Sequence, residues 1–154
     1  VPGTTDALQV QDRGALLYAP PCGRCDSTWA ISMLSRCATY PTQEMDLLAD
    51  RVLVYMAQNS DMGETFDGTL EDASVLHAYC DSDWSVLHSM TGFCIMLCGA
   101  ALLYCSKRQQ AIALSSTEAE VMAASQASAE LVYSTGMLEE MGIVQKKPPG
   151  SRST

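Results

Sequence analysis

The chain has 154 residues, enough for one ordinary domain, or for one small domain with a piece of another. Its 18 Asp and Glu residues outnumber 9 Lys and Arg residues, and this net charge of −9 argues against a free-standing nucleic-acid binder, which normally carries a basic surface. No apolar run reaches the roughly 18 residues that a membrane-spanning helix needs, so we expect no membrane partner.

The N-terminal residues and the cysteines indicate a cellular setting. Residues 1–6 lack a Met, a basic region and an apolar region, so we expect no signal peptide and a piece cut from a longer polypeptide. Seven cysteines without regular spacing predict reduced, mostly buried thiols in an intracellular protein that is not secreted. The single C-x-x-C pattern, Cys22 to Cys25, has no second pair or nearby histidine, so we interpret it as structural.

Residues 1–66 have the pattern of a helical hairpin. Side-chain oxygens at residues 26–28 predict the cap of a first helix that ends before Pro41. Thr42 predicts the cap of a second helix, from residue 43 to about residue 58. The apolar residues of this second segment recur at helical spacing and form one stripe: Leu47, Leu48, Val52, Tyr55 and Met56.

Three strands are predicted in the middle of the chain. Residues 74–79 alternate in hydrophobicity and end in an acidic turn, residues 92–97 are apolar throughout, and residues 102–105 return after a turn at Gly99. Because the connections are short, we predict an antiparallel meander.

A long helix follows the strands. Ser115 and Glu118 form a capping box, and Gly142 is a typical C-terminal stop. Residues 67–144 are thus predicted to be an α+β domain, and residues 145–154, with the composition of a flexible segment, a disordered tail.

Two acidic residues fall where these elements begin or end. Asp81 ends the first strand, and Glu120 follows the capping box near the positive end of the helix. Taken alone, Asp81 and Asp83 fit a solvated turn, and Glu118 and Glu120 fit the preference of acids for helix starts. Taken together, they predict a carboxylate pair that converges to hold a divalent metal ion.

Four blocks from Tyr79 to Val121 resemble, in order, the ribonuclease H region of copia-type retrotransposon Pol polyproteins: Tyr-Cys-Asp-Ser-Asp-Trp at 79–84, Ser-Met-Thr-Gly at 89–92, Ser-Lys-Arg-Gln at 106–109, and Ala-Leu-Ser-Ser-Thr-Glu-Ala-Glu-Val at 113–121. Five blocks of the N-terminal half are similar to that family's connection segment after the reverse transcriptase: Gly-Ala-Leu-Leu-Tyr at 14–18, Cys-Gly-Arg-Cys-Asp at 22–26, Leu-Ser-Arg at 34–36, Pro-Thr at 41–42 and Arg-Val-Leu-Val-Tyr at 51–55.

The resemblance implies a ribonuclease H-like fold that cleaves the RNA strand of an RNA–DNA hybrid with two Mg²⁺ (or Mn²⁺) ions about 4 Å apart. Asp81 would bridge both ions, Glu120 would bind one, and Asp83 would support the site. Lys107 and Arg108 would contact the hybrid backbone, or alternatively form a solvated strand exit. The reverse transcriptase portion of the polyprotein is the expected protein partner, in a cytoplasmic particle or the nucleus.

Several departures from the family pattern lower the expected activity. No acidic residue follows Gly142, so the third and fourth metal-binding acids and the fourth strand are expected to be missing. Tyr104 replaces a common tryptophan, Cys25 replaces a proline and Val121 replaces a tyrosine. We therefore expect a weak or inactive nuclease. A non-catalytic connection module that packs on a reverse transcriptase is the alternative, and an unrelated acidic α+β protein is a third reading.

Overall fold

A computed structural model describes residues 15–37, 42–145 and 150–153, and the chain divides into two compact units, residues 1–64 and residues 65–154. The described part of the N-terminal unit is helical, and the C-terminal unit combines a sheet with one long helix. Within the described residues, no helix has the length and apolar character needed to span a membrane.

The N-terminal unit contains the predicted helical pair, α1 (Thr28–Arg36) and α2 (Gln43–Gln58). Two short 3₁₀ turns, Pro20–Cys22 and Cys25–Ser27, lead into α1. The Oγ1 atom of Thr42 accepts a hydrogen bond from the amide of Met45 at 3.4 Å and caps α2, as the sequence predicts. A small core holds the two helices together: Leu16, Ile31, Leu34 and Ala49.

The C-terminal unit is built on a four-stranded sheet in the order β3-β2-β1-β4. Strands β1 (His77–Asp83), β2 (Met90–Leu97) and β3 (Ala100–Arg108) form the predicted antiparallel meander. Helix α3 (Ser116–Glu140) follows, and β4 (Gly150–Ser153) then pairs in parallel with β1. A parallel neighbour requires a long crossover, which α3 provides.

The predictions of a missing fourth strand and of a disordered tail through residues 145–154 are therefore wrong for Gly150–Ser153. The free edge of β1 offers unpaired backbone N–H and C=O groups, and β4 satisfies four residues of it, from His77 to Cys80. This strand is not evident from the sequence because Gly, Ser and Arg have no strong strand preference.

Helix α3 packs on one face of the sheet. The core consists of Ala78, Phe93 and Ile95 from the strands, Leu76 from the residue just before β1, and Ala127, Leu131 and Leu138 from the helix. The capping box forms in a shifted way: the Oγ atom of Ser115 accepts from the Glu118 amide at 3.2 Å, and the Glu118 carboxylate accepts from the Leu114 amide at 2.7 Å. The beginning of α3 is therefore fixed by local hydrogen bonds.

A two-residue turn joins β2 to β3. Cys98 has φ +53° and Gly99 has φ +80°, the signs of a type I′ turn, whose twist matches that of the two strands. A Cβ atom on Gly99 would lie 2.9 Å from Cδ1 of Leu70. Glycine at position 99 is therefore favoured by the left-handed backbone, whereas the exposed Leu70 side chain can move to admit a Cβ atom.

We expect Gly99→Ala to lower the free energy of unfolding by about 1–2 kcal/mol, because alanine strains a left-handed backbone by about that amount. Urea denaturation followed by circular dichroism measures the change. Gly68→Ala is the matched control, since no atom lies within 4 Å of its added Cβ. An equal loss of stability in both variants would contradict the turn assignment.

Candidate active site

Asp81 lies in β1 opposite Gly92 of β2, and its side chain is exposed. Side chains alternate between the two faces of a strand, and Ala78 and Cys80 belong to the core under α3. The carboxylate of Asp81 therefore leaves the sheet on the face opposite to α3. Asp83 is exposed and shares this face.

Glu120 is the fifth residue of α3 and is exposed. It lies just past the first turn, where Glu118 is the acidic residue. Asp81 thus lies in the sheet itself, and Glu120 lies in the early part of α3, which packs on one face of the sheet.

Lys107 and Arg108 occupy the last two positions of β3 and are exposed. Lys107 pairs with the buried Thr91, whereas Arg108 pairs with Met90, which in turn pairs with Asp83. Residues paired across strands point to the same face, so Arg108 shares the face of Asp83, about 10 Å away across two strand spacings. Lys107 lies on the α3 side.

The fold thus brings the five predicted site residues to one end of the sheet but divides them between its two faces. Residues 15–37 and 42–145 contain no group of three or more His, Cys, Asp or Glu side chains arranged to hold a metal ion. Asp81 and Glu120 are both exposed carboxylates at this end of the sheet. Their role as metal ligands stays a prediction.

Gln109 has a role that the sequence analysis missed. Its side chain is 7% exposed, and Nε2 donates to Oγ1 of Thr91 at 3.0 Å and to the carbonyl of Ala119 at 2.9 Å. Its amide donates to the carbonyl of Ser89 at 2.8 Å. Gln109 therefore joins the exit of β3 to β2 and to the first turns of α3. The sequence feature that could have identified Gln109 is its position at the end of the Ser-Lys-Arg-Gln block.

Trp84 makes a second link at the same end of the sheet. Its Nε1 atom donates to the carbonyl of Ala113 at 3.1 Å, and the amide of Ser85 donates to Oγ of Ser89 at 3.2 Å. The turn after β1 is thereby tied to the loop before α3. The four sequence blocks identified above are joined to one another by the hydrogen bonds of Trp84 and Gln109.

The C-x-x-C segment of the N-terminal unit is organised by Arg24. The guanidinium donates to both carboxylate oxygens of Asp26, at 3.1 and 3.0 Å, and to the carbonyl of Asn59 at 3.1 Å, and it lies 5.7 Å from the centre of the Tyr55 ring. It therefore satisfies a carbonyl just past the C-terminus of α2. None of the seven cysteines forms a disulfide.

The pKa of Asp26 lies below its ordinary value, chiefly because Arg24 hydrogen-bonds its charged form. A lowered carboxyl pKa contributes stability that is present above the unfolded-state pKa, about 4, and is lost as pH falls through the folded-state value.

We therefore expect the N-terminal unit to lose stability as pH falls below about 4. Acid titration followed by circular dichroism should show a shallower loss in Asp26→Asn, while the exposed Asp61→Asn should match the wild type. Acid-titration curves of the same steepness for the wild type and both variants would contradict the stabilising role of the Asp26 contact with Arg24.

Sequence comparisons place the chain among mobile-element proteins. It is 31% identical over 138 residues to the Retrovirus-related Pol polyprotein from transposon TNT 1-94 of Nicotiana tabacum, an alignment of 87% of this chain and 10% of that protein. It is 33% identical over 132 residues to the corresponding polyprotein from transposon RE2 of Arabidopsis thaliana, covering 82% of this chain and 9% of the relative.

A shorter relative is matched over most of its length. The chain is 34% identical over 126 residues to the Secreted RxLR effector protein 161 of Plasmopara viticola, an alignment of 79% of this chain and 87% of that protein. No family model and no solved structure matches the chain. The chain spans about a tenth of the length of the two Pol polyproteins. On these relationships, the chain belongs to the Pol polyprotein family of copia-type retrotransposons.

Proposed function

We propose that this chain is the connection segment and the first half of the ribonuclease H-like domain of a copia-type Pol polyprotein, and that it does not cleave RNA–DNA hybrids by itself. The observation that carries the proposal is the set of hydrogen bonds from Trp84 and Gln109, which join the four sequence blocks around one end of the sheet. Blocks that were only ordered along the chain are thus physically connected.

Two features support the absence of independent activity. Residues 15–37 and 42–145 contain no group of three or more His, Cys, Asp or Glu side chains arranged to hold a metal ion. Strand β4 carries no acidic residue in its sequence Gly-Ser-Arg-Ser. With so few carboxylates converging, we expect only weak binding of Mg²⁺, which requires near-octahedral oxygen coordination.

The position of β4 indicates how the site would be completed. Ser153 pairs with Cys80, one residue before Asp81. An extension that continues β4 in the same register would run alongside residues 81–83 of β1. An aspartate supplied there by a downstream segment would add the acid that this chain lacks.

We also propose that Arg108, rather than Lys107, contacts the phosphate backbone of a hybrid. Arg108 lies on the same sheet face as Asp81 and Asp83, whereas Lys107 lies on the α3 side. A single cation in a chain of net charge −9 binds nucleic acid weakly. A neighbouring basic part of the polyprotein would provide the remaining attraction.

The test is cleavage of a labelled RNA–DNA hybrid in Mg²⁺ or Mn²⁺. We expect no cleavage above background by the chain alone and measurable cleavage when a downstream, aspartate-bearing segment of a related Pol polyprotein is fused after Thr154. The same fusion with that aspartate changed to asparagine is the matched control and should be inactive. Activity of the unfused chain, or inactivity of a folded fusion, would contradict the proposal.

A second candidate function is a non-catalytic interaction module. The observation that favours it is the Plasmopara viticola relative, of which 87% is covered, because that protein is of similar size and is named an effector. In this case Asp81 and Glu120 are inherited residues without a chemical role. A fusion that folds but never cleaves the hybrid favours this candidate.

A further inference from the structure

Helices α1 and α2 leave an open groove of about 450 Å³ between them, within the N-terminal unit. We call it the α1–α2 groove; it is lined mainly by Trp29, Met33, Leu34, Met45, Leu48 and Tyr55. Four of these side chains stay well exposed: Trp29 at 62%, Met33 at 39%, Leu48 at 42% and Tyr55 at 41%. Clefts that are lined by apolar and aromatic side chains and lie between helices are common binding sites.

The side chains of the groove are of the types that dominate protein–protein interfaces. Trp, Tyr, Met and Arg are enriched at the cores of such interfaces and account for most of their binding energy. Methionines also adapt their shape to a partner's side chains. A groove between two helices can accept the apolar stripe of a third helix.

The charges of the groove define the partner further. Two charged residues, Asp26 and Arg51, line it. Asp26 is held by Arg24 at 3.0 Å, whereas the described residues provide no ion pair for Arg51. A partner that places a carboxylate beside Arg51 would gain a charge-assisted hydrogen bond at the rim of an apolar contact.

From these observations we propose that the α1–α2 groove binds an amphipathic helix that carries an apolar stripe with an acidic residue beside it. The proposal is independent of hybrid cleavage, since the groove lies in the N-terminal unit and the candidate active site lies in the C-terminal unit. A helix from another part of a Pol polyprotein is one source of such a segment, and a second copy of this chain is an alternative occupant that the experiment separates.

The test uses the full chain and designed helical peptides labelled with fluorescein. One peptide carries leucines at helical spacing with glutamates beside the stripe, a second replaces the glutamates by lysines, and a third has the first composition in scrambled order. We expect saturable binding of the glutamate peptide, a blue shift of tryptophan emission that is retained when Trp84 is replaced by phenylalanine, and at least tenfold weaker binding of the other two.

Matched variants connect binding to the groove. Leu48→Glu should weaken binding of the glutamate peptide at least tenfold, while Leu47→Glu, on the neighbouring residue, which is 62% exposed and outside the groove, should leave it unchanged. Arg51→Glu should reverse the preference, so that the lysine peptide binds more tightly. An unfolded Arg51→Glu variant would not show this reversed peptide preference, because tighter binding of the lysine peptide requires an intact groove.

Three outcomes would overturn the proposal. The first is no saturable binding of the glutamate peptide, and the second is equal binding by the Leu47→Glu and Leu48→Glu variants. The third is concentration-dependent dimerisation of the chain that Leu48→Glu abolishes, since a second copy would then be the occupant.

Discussion

Replacing Gln109 by leucine is expected to lower the free energy of unfolding by about 2–4 kcal/mol. The side chain is buried and donates to two groups, the Thr91 hydroxyl and the Ala119 carbonyl, and each group left without its donor costs about 1–3 kcal/mol. The size of the side chain changes little, so the effect arises mainly from these two hydrogen bonds.

Urea denaturation with matched variants measures this effect. Gln110→Leu is the control, because Gln110 is the next residue and is exposed. Gln109→Glu provides a further comparison, since it keeps the shape but removes the amide donor and should also destabilise the chain. Equal midpoints for Gln109→Leu and Gln110→Leu would contradict the role of Gln109 in joining β3 to α3.

The second large effect is expected in the completed domain, the fusion that carries the downstream acid. Asp81→Asn and Glu120→Gln should each lower hybrid cleavage about 100-fold or more, because each removes a negative charge that divalent-ion catalysis requires while preserving side-chain shape. Asp83→Asn should cause a smaller loss, as expected for a supporting residue.

The exposed Glu71→Gln is the control for this series, since it removes one acidic charge from the same unit away from the sheet end. All variants are compared with the unchanged fusion at one hybrid concentration and by circular dichroism. Full activity in Asp81→Asn would exclude Asp81 from the chemistry and would favour the non-catalytic module.

Much of the fold could be predicted because the decisive signals are local. Hydrophobic alternation predicted the meander, and Ser115 with Glu118 predicted the beginning of α3. Strand β4 was missed because Gly-Ser-Arg-Ser has no intrinsic strand signal; the unpaired edge of β1 makes it a strand. Such an edge becomes apparent only once the sheet is assembled.

The candidate site was predicted less well because it depends on contacts across the chain. The partners of Gln109 lie 18 and 10 residues away, at Thr91 and Ala119, which no local pattern specifies. The face of Asp81 was available from the sequence, since it is odd-numbered in a strand whose apolar residues Leu76, Ala78 and Cys80 are even-numbered. That Asp81 and Glu120 form a carboxylate pair stays a prediction.

The most direct test of this account is whether Asp81 and Glu120 share a cation in the isolated chain. Mn²⁺ titration followed by NMR paramagnetic broadening reports each site separately. We predict only weak broadening at millimolar Mn²⁺, with Asp81 and Glu120 affected independently, so that Asp81→Asn leaves the broadening at Glu120 unchanged. Joint broadening of both sites at micromolar Mn²⁺, lost together in Asp81→Asn, would contradict the account.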